Sequence, residues 1–226
     1  MTNKQIHQTP SSAFCDRGYW DKLYTLQRSA PFEWYSITYP TIRELLLRYI
    51  PRHVTVLHVG VGTSKLQEDM AGDGYCALLN IDYSEVVITH LQKEHAGRPG
   101  LQYKVVDVTD MRPEFGDHSF EAALDKGTLD GILCSGNDAH DSDAMLLEIC
   151  RVLKPGGVLL LISYGSPEAR ADLLLHPGLD WDVTFHVITR KLLPQPTQPT
   201  QPTQAALQGS QGLAAPVPGA AAAAAA

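Results

Sequence analysis

Short apolar runs alternate with amphipathic segments along most of this chain. Runs rich in Val, Leu and Ile predict buried strands, and apolar residues that recur every three or four positions predict helix faces packed on a core. The predicted strands lie at residues 54–59, 76–81, 101–106, 120–124, 158–162 and 181–189. The predicted helices lie at about residues 14–27, 42–49, 65–71, 85–95 and 145–153.

The alternation of strands and helices predicts an α/β fold with a doubly wound parallel sheet. Right-handed crossovers place helices on both faces of such a sheet, and ligands bind across the carboxyl ends of its strands. Ser84 is a suitable N-cap for the helix after the second strand, and residues 154–157 end the last helix before an apolar strand. We therefore expect functional residues at the ends of strands one to four.

The composition changes sharply at Pro194, where Gln-Pro-Thr repeats begin and lead to an all-alanine end at residues 220–226. Such a sequence cannot bury enough apolar surface to offset the entropy lost on ordering. The sequence therefore predicts a flexible N-terminus at residues 1–12, one folded domain at 13–193 and a disordered low-complexity tail at 194–226.

The 226-residue chain is acidic, with a net charge of −7 and a sequence pI of about 5.7. Nucleic-acid binders usually carry the opposite charge, whereas a basic protein suits an acidic surface. The four cysteines are far apart and the nine histidines lack metal-ligand spacing, so we expect neither a disulfide framework nor a metal site. The chain lacks an apolar stretch of the roughly 20 residues that a membrane span needs, and it begins with neither a secretory signal nor the basic residues of a mitochondrial presequence. These features favour the cytosol over the mitochondrion, predict no membrane or nucleic-acid partner, and leave the oligomeric state open.

A Gly-x-Gly turn, Gly60 and Gly62, directly follows the first strand, and Asp82 ends the second. Glycines let the backbone approach a ligand, and an acid at the end of the next strand accepts hydrogen bonds from a ribose. A dinucleotide site would show a third glycine three residues further on, which this chain lacks. Asp107 ends the third strand beside Val108 and can accept a hydrogen bond from an adenine amino group. The pattern predicts a site for an adenosine-type cofactor other than a dinucleotide.

The turn Arg-Val-Leu-Lys-Pro-Gly-Gly at residues 151–157 leads into an apolar strand. With the layout of the whole domain, it gives the chain a resemblance to class I S-adenosylmethionine-dependent methyltransferases. Three further segments are Tyr-Trp-Asp-Lys-Leu-Tyr at 19–24 with Phe-Glu-Trp-Tyr at 32–35, Asn-Ile-Asp-Tyr-Ser-Glu-Val-Val-Ile at 80–88, and Asp-Lys-Gly-Thr-Leu-Asp at 125–130. In these segments the chain resembles the elongation factor 1A lysine methyltransferases.

The resemblance implies that S-adenosylmethionine is the cofactor and that a protein with an exposed lysine is the acceptor. It implies cofactor contacts for nine residues: Trp20, Tyr24, Trp34, Gly60, Asp82, Tyr83, Asp107, Val108 and Lys126. Asp82 would hold the ribose hydroxyls, and the three N-terminal aromatic residues would fold over the cofactor. For Trp20 and Tyr24, packing on the core is an equal alternative, and Lys126 could be a solvated loop residue.

Asp125 lies at the end of strand four, where the acceptor would enter, and is predicted as the catalytic acid that orients the lysine amine. Asp130 and Glu33 are alternatives for this role, and Asp125 could instead cap a helix or contact the cofactor. Lysine has a pKa of about 10.4 and must lose a proton before it attacks, which desolvation in an aromatic channel favours. Trp34 and Tyr35 are predicted to line that channel.

Class I methyltransferases close their sheet with strands six and seven, and the sequence after residue 189 contains no candidate for a seventh strand. The predicted fold is therefore a Rossmann-like sheet without its seventh strand. Three functions are compatible with this fold: a protein-lysine methyltransferase, a small-molecule methyltransferase, and a non-catalytic module that binds the cofactor or a partner. The Asp-Lys-Gly-Thr-Leu-Asp segment favours the first, and the missing strand favours the third.

Overall fold

The centre of the protein is a sheet of five parallel strands in the order β3-β2-β1-β4-β5. A computed structural model describes residues 10–27, 30–134 and 139–188. The strands are β1 (Thr55–Val59), β2 (Ala77–Asp82), β3 (Leu101–Val105), β4 (Phe120–Lys126) and β5 (Leu153–Ile162). The predicted doubly wound parallel sheet is confirmed. The strand order reverses between β1 and β4, which is where ligands of such sheets bind.

Helices precede, connect and follow the strands. Ser84 caps the helix after β2 as predicted, because its Oγ accepts a hydrogen bond from the backbone nitrogen of Val87 at 3.5 Å. Two short 3-10 turns, Ser11–Cys15 and Trp34–Ser36, lie in the part of the chain before the helix Tyr39–Tyr49, which we call the N-terminal segment. The helices of the described residues are α1 (Arg17–Gln27), α2 (Tyr39–Tyr49), α3 (Leu66–Gly72), α4 (Glu85–Glu94), α5 (Thr128–Ile132), α6 (Ala139–Val152) and α7 (Pro167–Leu174).

The pleat of the strands divides the buried side chains between the two faces of the sheet. Leu57 and Val59 of β1 belong to a buried cluster with α6, to which that helix contributes Met145, Leu146, Ile149 and Val152. Val56 and His58 alternate with them along β1 and therefore point to the opposite face. Only strand residues whose side chains point to the same face of the sheet can therefore contribute to one site.

The strand predicted at residues 181–189 is wrong, since residues 181–188 form no strand and residue 189 lies outside the described residues. Trp181 donates a hydrogen bond from Nε1 to the carbonyl oxygen of Leu174 at 2.8 Å, and Trp181 and Val183 pack against the buried cluster. The alternating pattern therefore reflects side chains that rest on the core beside α7. Within the described ranges the sheet ends at β5.

These elements form one unit, Met1–Phe185, and a second unit begins at His186, whose described residues 186–188 contain no helix or strand. The predicted tail at 194–226 and most of the predicted flexible N-terminus lie outside the described residues. None of the helices that the structure describes is long and apolar enough to cross a membrane. The same part of the chain holds no group of three His, Cys, Asp or Glu side chains placed to bind a metal ion.

Candidate functional site

A cavity of about 360 Å³ lies at the carboxyl ends of the strands, around the turn that follows β1. Its size is that of a small-molecule site, for which about 300–1,000 Å³ is usual. All nine residues predicted to contact a cofactor line this cavity: Trp20, Tyr24, Trp34, Gly60, Asp82, Tyr83, Asp107, Val108 and Lys126. The fold thus brings together residues that are far apart in the sequence, from Trp20 to Lys126.

Gly60 and Gly62 build the tight turn after β1, with φ values of 59° and 51° in the left-handed region that favours glycine. A Cβ atom on Gly60 would lie 1.9 Å from Oγ1 of Thr128, and one on Gly62 would lie 3.2 Å from the hydroxyl of Tyr24. Both glycines are therefore required by backbone conformation, and Gly60 also by the close approach of α5.

Asp82 is buried at the end of β2, with both carboxylate oxygens held by backbone nitrogens. Oδ2 accepts a hydrogen bond from Gly62 and Oδ1 accepts one from Ser84, each at 3.0 Å. Burial raises the pKa of Asp82 to about 6, although the two backbone hydrogen bonds oppose that rise. Asp82 is thus an ionised acceptor at neutral pH, fixed in position beside the glycine turn.

The cavity edge beside β3 carries Asp107 between two buried valines, Val106 and Val108. Oδ1 of Asp107 accepts hydrogen bonds from the backbone nitrogen of Thr109 at 2.9 Å and from its Oγ1 at 2.7 Å. These bonds fix an exposed carboxylate next to apolar side chains. The arrangement suits a flat heterocycle that carries an amino group.

Five aromatic residues of the N-terminal segment form one wall of the cavity: Phe14, Trp20, Tyr24, Phe32 and Trp34. The rings of Trp20 and Tyr24 stack at 5.7 Å, and the indole nitrogen of Trp20 donates a hydrogen bond to the carbonyl oxygen of Phe14 at 2.7 Å. Trp20 and Tyr24 therefore pack against neighbours, as one predicted alternative has it, and also line the cavity. Phe14 and Phe32 were not predicted, and their position beside the predicted aromatic residues is the only sequence signal for them.

Asp125, the predicted catalytic acid, is not among the residues that line the cavity. Its side chain is fully buried, Oδ1 accepts a hydrogen bond from the backbone nitrogen of Thr128 at 2.8 Å, and Oδ2 accepts one from Leu129 at 3.1 Å. Burial raises the pKa of Asp125 to about 7. The geometry gives Asp125 the predicted alternative role, a cap on α5, because its oxygens bond the first backbone nitrogens of that helix.

Lys126 follows Asp125 in β4, points to the opposite face and lines the cavity. It is 4% exposed, so the solvated-loop alternative is wrong. Its Nζ forms an ion pair with Glu33 and donates a hydrogen bond to the carbonyl oxygen of Ile37 at 3.3 Å. The Glu33 carboxylate also accepts hydrogen bonds from Oγ of Ser64 at 2.9 Å and from the backbone nitrogen of Lys65 at 2.7 Å. Burial lowers the pKa of Lys126, and the charge of Glu33 opposes that change.

Asp130 joins three separate parts of the chain through four hydrogen bonds. It accepts from the hydroxyl of Tyr35 and from Oγ of Ser163, both at 2.5 Å, from the backbone nitrogen of Tyr164 at 2.8 Å, and from Nη2 of Arg170 at 2.9 Å. Although burial raises the pKa of Asp130, these hydrogen bonds lower it below its usual range. Asp130 therefore works as an ionised anchor for the N-terminal segment.

His58 also lines the cavity, and its place inside an apolar strand gave no signal of this in the sequence. It is 2% exposed, and its Nδ1 has no hydrogen-bond partner within the part of the chain that the structure describes. Burial and then the charge of Lys126 lower the pKa of His58 to about 3, so the ring is neutral. An unpartnered polar atom in the wall of a cavity marks a contact available to a ligand.

Comparison with known proteins agrees with this geometry. A family model described as a methyltransferase domain matches residues 57–161. The chain is 37% identical over 182 residues to the eEF1A lysine and N-terminal methyltransferase of Bos taurus, and 38% identical to that of Mus musculus. Each match covers 79% of this chain and 26% of the relative, so the chain spans about a quarter of the length of these relatives. It is also 32% identical over 177 residues to EEF1A lysine methyltransferase 4 of Bos taurus, covering 73% of this chain and 67% of that protein.

Proposed function

Because this chain belongs to the family of S-adenosylmethionine-dependent methyltransferases that includes the eEF1A lysine methyltransferases, we propose that it methylates the side-chain amine of a lysine in a protein. The observation that carries the proposal is 32% identity over two thirds of an EEF1A lysine methyltransferase, with the predicted cofactor residues around one cavity. We propose eEF1A as the first substrate to test, since it is named in the descriptions of these relatives.

The residues around the cavity fit S-adenosylmethionine. The glycine turn brings backbone without Cβ atoms to the cavity, the buried Asp82 offers an acceptor for the ribose, and Asp107 with Val108 suits the adenine. The unpartnered Nδ1 of His58 leaves one polar contact for the cofactor to complete. When bound, S-adenosylmethionine supplies an electrophilic methyl group on a sulfonium.

The acceptor amine must be neutral and must be held in line with the methyl group, away from water. We assign the exclusion of water to the aromatic wall, in which Trp34 lies beside Gly127. Tyr35, also predicted to line the channel, is not among the residues that line the cavity. Aromatic faces attract a lysine ammonium as it arrives, and the low dielectric between them favours its loss of a proton. Because Asp125 caps α5, we propose desolvation by these rings, rather than a general base at that position, as the means of deprotonation.

The net negative charge of the chain suits a basic sequence around the acceptor lysine. The aromatic wall that the N-terminal segment adds to the cavity suits a protein acceptor. We propose the cytosol as the compartment, in keeping with the relatives' substrate. A non-catalytic module that binds the cofactor is the second candidate. The observation in its favour is that, among the described residues, the sheet has no strand beyond β5.

The test is incubation of the full chain with methyl-labelled S-adenosylmethionine and either purified eEF1A or a cell extract. We expect a labelled protein band, with the label on lysine after digestion and mass spectrometry. Asp82→Ala should lose the label, whereas Gly72→Ala, at an open helix end away from the cavity, should keep it. Label confined to small molecules would overturn the lysine assignment, and cofactor binding without transfer to any acceptor would support the non-catalytic module.

A further inference from the structure

The N-terminal segment that reaches the cavity is held in an unfavourable backbone conformation. Tyr35 has φ 60° and Ser36 has φ 53°, and both are side-chain-bearing residues in the left-handed region. Such residues persist only where surrounding contacts over-determine them, and they concentrate at functional sites. The contacts that hold this segment are therefore informative.

Two side-chain contacts join Glu33 and Tyr35, on either side of Trp34, to residues 125–130. Glu33 forms its ion pair with Lys126, and the hydroxyl of Tyr35 donates to Asp130 at 2.5 Å. Gly127 lies between these two anchors, and a Cβ atom there would lie 3.0 Å from the Tyr35 hydroxyl. The Asp-Lys-Gly-Thr-Leu-Asp motif at residues 125–130 thus contacts the N-terminal segment on both sides of Trp34.

Trp34 lies between the two anchored residues and lines the cavity. Its ring contacts Phe14, Trp20 and Phe32 with centroid separations of 5.7, 6.0 and 5.1 Å. Those three rings belong to the same N-terminal segment. The two residues that flank Trp34 contact the end of β4 and α5, through Lys126 on one side and Asp130 on the other.

We infer that Glu33 and Tyr35 are positioning residues, which hold the Trp34 ring against the bound cofactor through Lys126 and Asp130. Neither side chain needs to touch the reacting atoms. The inference rests on the proposed function, since it concerns the cofactor of that reaction, but it does not depend on which acceptor is methylated.

The first test compares Tyr35 and Tyr39, whose hydroxyls each donate a hydrogen bond to an aspartate. Tyr35→Phe removes only the hydroxyl that donates to Asp130, and Tyr39→Phe removes a hydroxyl that donates to Asp73, also at 2.5 Å, in α2 outside the cavity. Calorimetric titration of each full chain with S-adenosylhomocysteine is made below both unfolding temperatures. We expect the dissociation constant to rise about tenfold for Tyr35→Phe and to stay within about twofold for Tyr39→Phe.

The second test asks whether Tyr35 acts through Trp34. In a double-mutant cycle with Trp34→Ala, the further change Tyr35→Phe should no longer weaken binding, and the same should hold for Glu33→Gln. If Trp34→Ala does not fold, Trp34→Leu takes its place in the cycle. An unchanged dissociation constant in Tyr35→Phe would overturn the inference, and so would an equal loss with and without the Trp34 ring.

These binding measurements need no acceptor, so they separate the two proposals. A chain that shows the expected cycle but labels no lysine contradicts the proposed acceptor and leaves the positioning role intact. A chain that labels lysine but shows no coupling between Tyr35 and Trp34 overturns the positioning role alone.

Discussion

Oδ2 of Asp82 accepts a hydrogen bond from the backbone nitrogen of Gly62 at 3.0 Å, which joins the end of β2 to the turn after β1. A second bond from Ser84 fixes the other oxygen, so the carboxylate cannot turn without breaking backbone contacts. A cofactor that binds this acid therefore meets a group whose position is already set. Such preorganisation lowers the entropy lost on binding.

We predict that affinity for S-adenosylhomocysteine falls as the pH falls through about 6. Burial raises the pKa of Asp82 to about 6, and protonation removes the negative charge and an acceptor site. The dissociation constant should rise by up to about tenfold per pH unit below that value. Calorimetric titration between pH 5 and 8 measures this profile, and Asp82→Asn should bind weakly with a flat profile. A flat profile for the unchanged chain would contradict the prediction.

Asp125→Asn should lower stability and leave methyl transfer almost intact. The loss of one acceptor for two backbone nitrogens at α5 should cost about 1–3 kcal/mol of unfolding free energy. Since burial raises the pKa of Asp125 to about 7, its contribution to stability is complete below its unfolded pKa and is lost as the pH rises through about 7. The difference in unfolding free energy between the unchanged chain and Asp125→Asn, measured in urea, should therefore become smaller from pH 5 to pH 8. A catalytic acid would instead show a loss of about a hundredfold or more in the rate at unchanged stability.

Gly60→Ala should abolish cofactor binding, whereas Gly72→Ala should preserve it. The new Cβ at residue 60 would fall 1.9 Å from Oγ1 of Thr128 in a left-handed backbone, but Gly72 has nothing within 4 Å of the equivalent position. Alanine at the end of α3 should raise stability by up to about 1 kcal/mol. Thermal unfolding and calorimetric titration of the two variants check both statements. Equal binding by the two proteins would show that α5 can move away from the turn.

His58 should make the protein less stable in acid. Burial and the charge of Lys126 lower the pKa of His58 to about 3, below its unfolded value of about 6.5. Its contribution is therefore complete above about pH 6.5 and is lost as the pH falls towards 3, at up to about 1.4 kcal/mol per pH unit. Urea unfolding of His58→Gln between pH 7 and 4 should show a shallower loss than the unchanged chain. His53→Gln, at an exposed position, should keep the original slope.

The order of elements was enough to predict most of the cofactor site. Asp82 ends β2 and Asp107 follows the end of β3, its neighbour in the sheet, and the carboxyl ends of parallel strands meet at one edge whatever the details of packing. The glycine turn could also be predicted, because the backbone conformation that requires glycine there is a local property. No long-range information is needed for either inference.

The roles of Asp125 and Lys126 could not be predicted in the same way. They are neighbours in β4, a strand buried almost throughout, and a fully buried strand has no polar face to show which way each side chain points. The structure turns Asp125 towards α5 and Lys126 towards Glu33. The partner of Lys126 also carries no local signal, because it lies far away in the chain. The strand predicted at 181–189 is wrong for another reason. Its alternating apolar side chains pack on the core, but the backbone of residues 181–188 pairs with no strand.

The two anchors of the N-terminal segment also bear on how the protein folds. Glu33 and Lys126 are 93 residues apart in the chain and Tyr35 and Asp130 are 95 apart, farther than any strand pairing in the sheet, of which the widest joins Val56 to Ala122. Closing longer loops costs more chain entropy, so contacts of this kind are slow to gain. We expect the sheet to assemble before these anchors form during refolding, and full affinity for the cofactor to return only when the N-terminal segment docks.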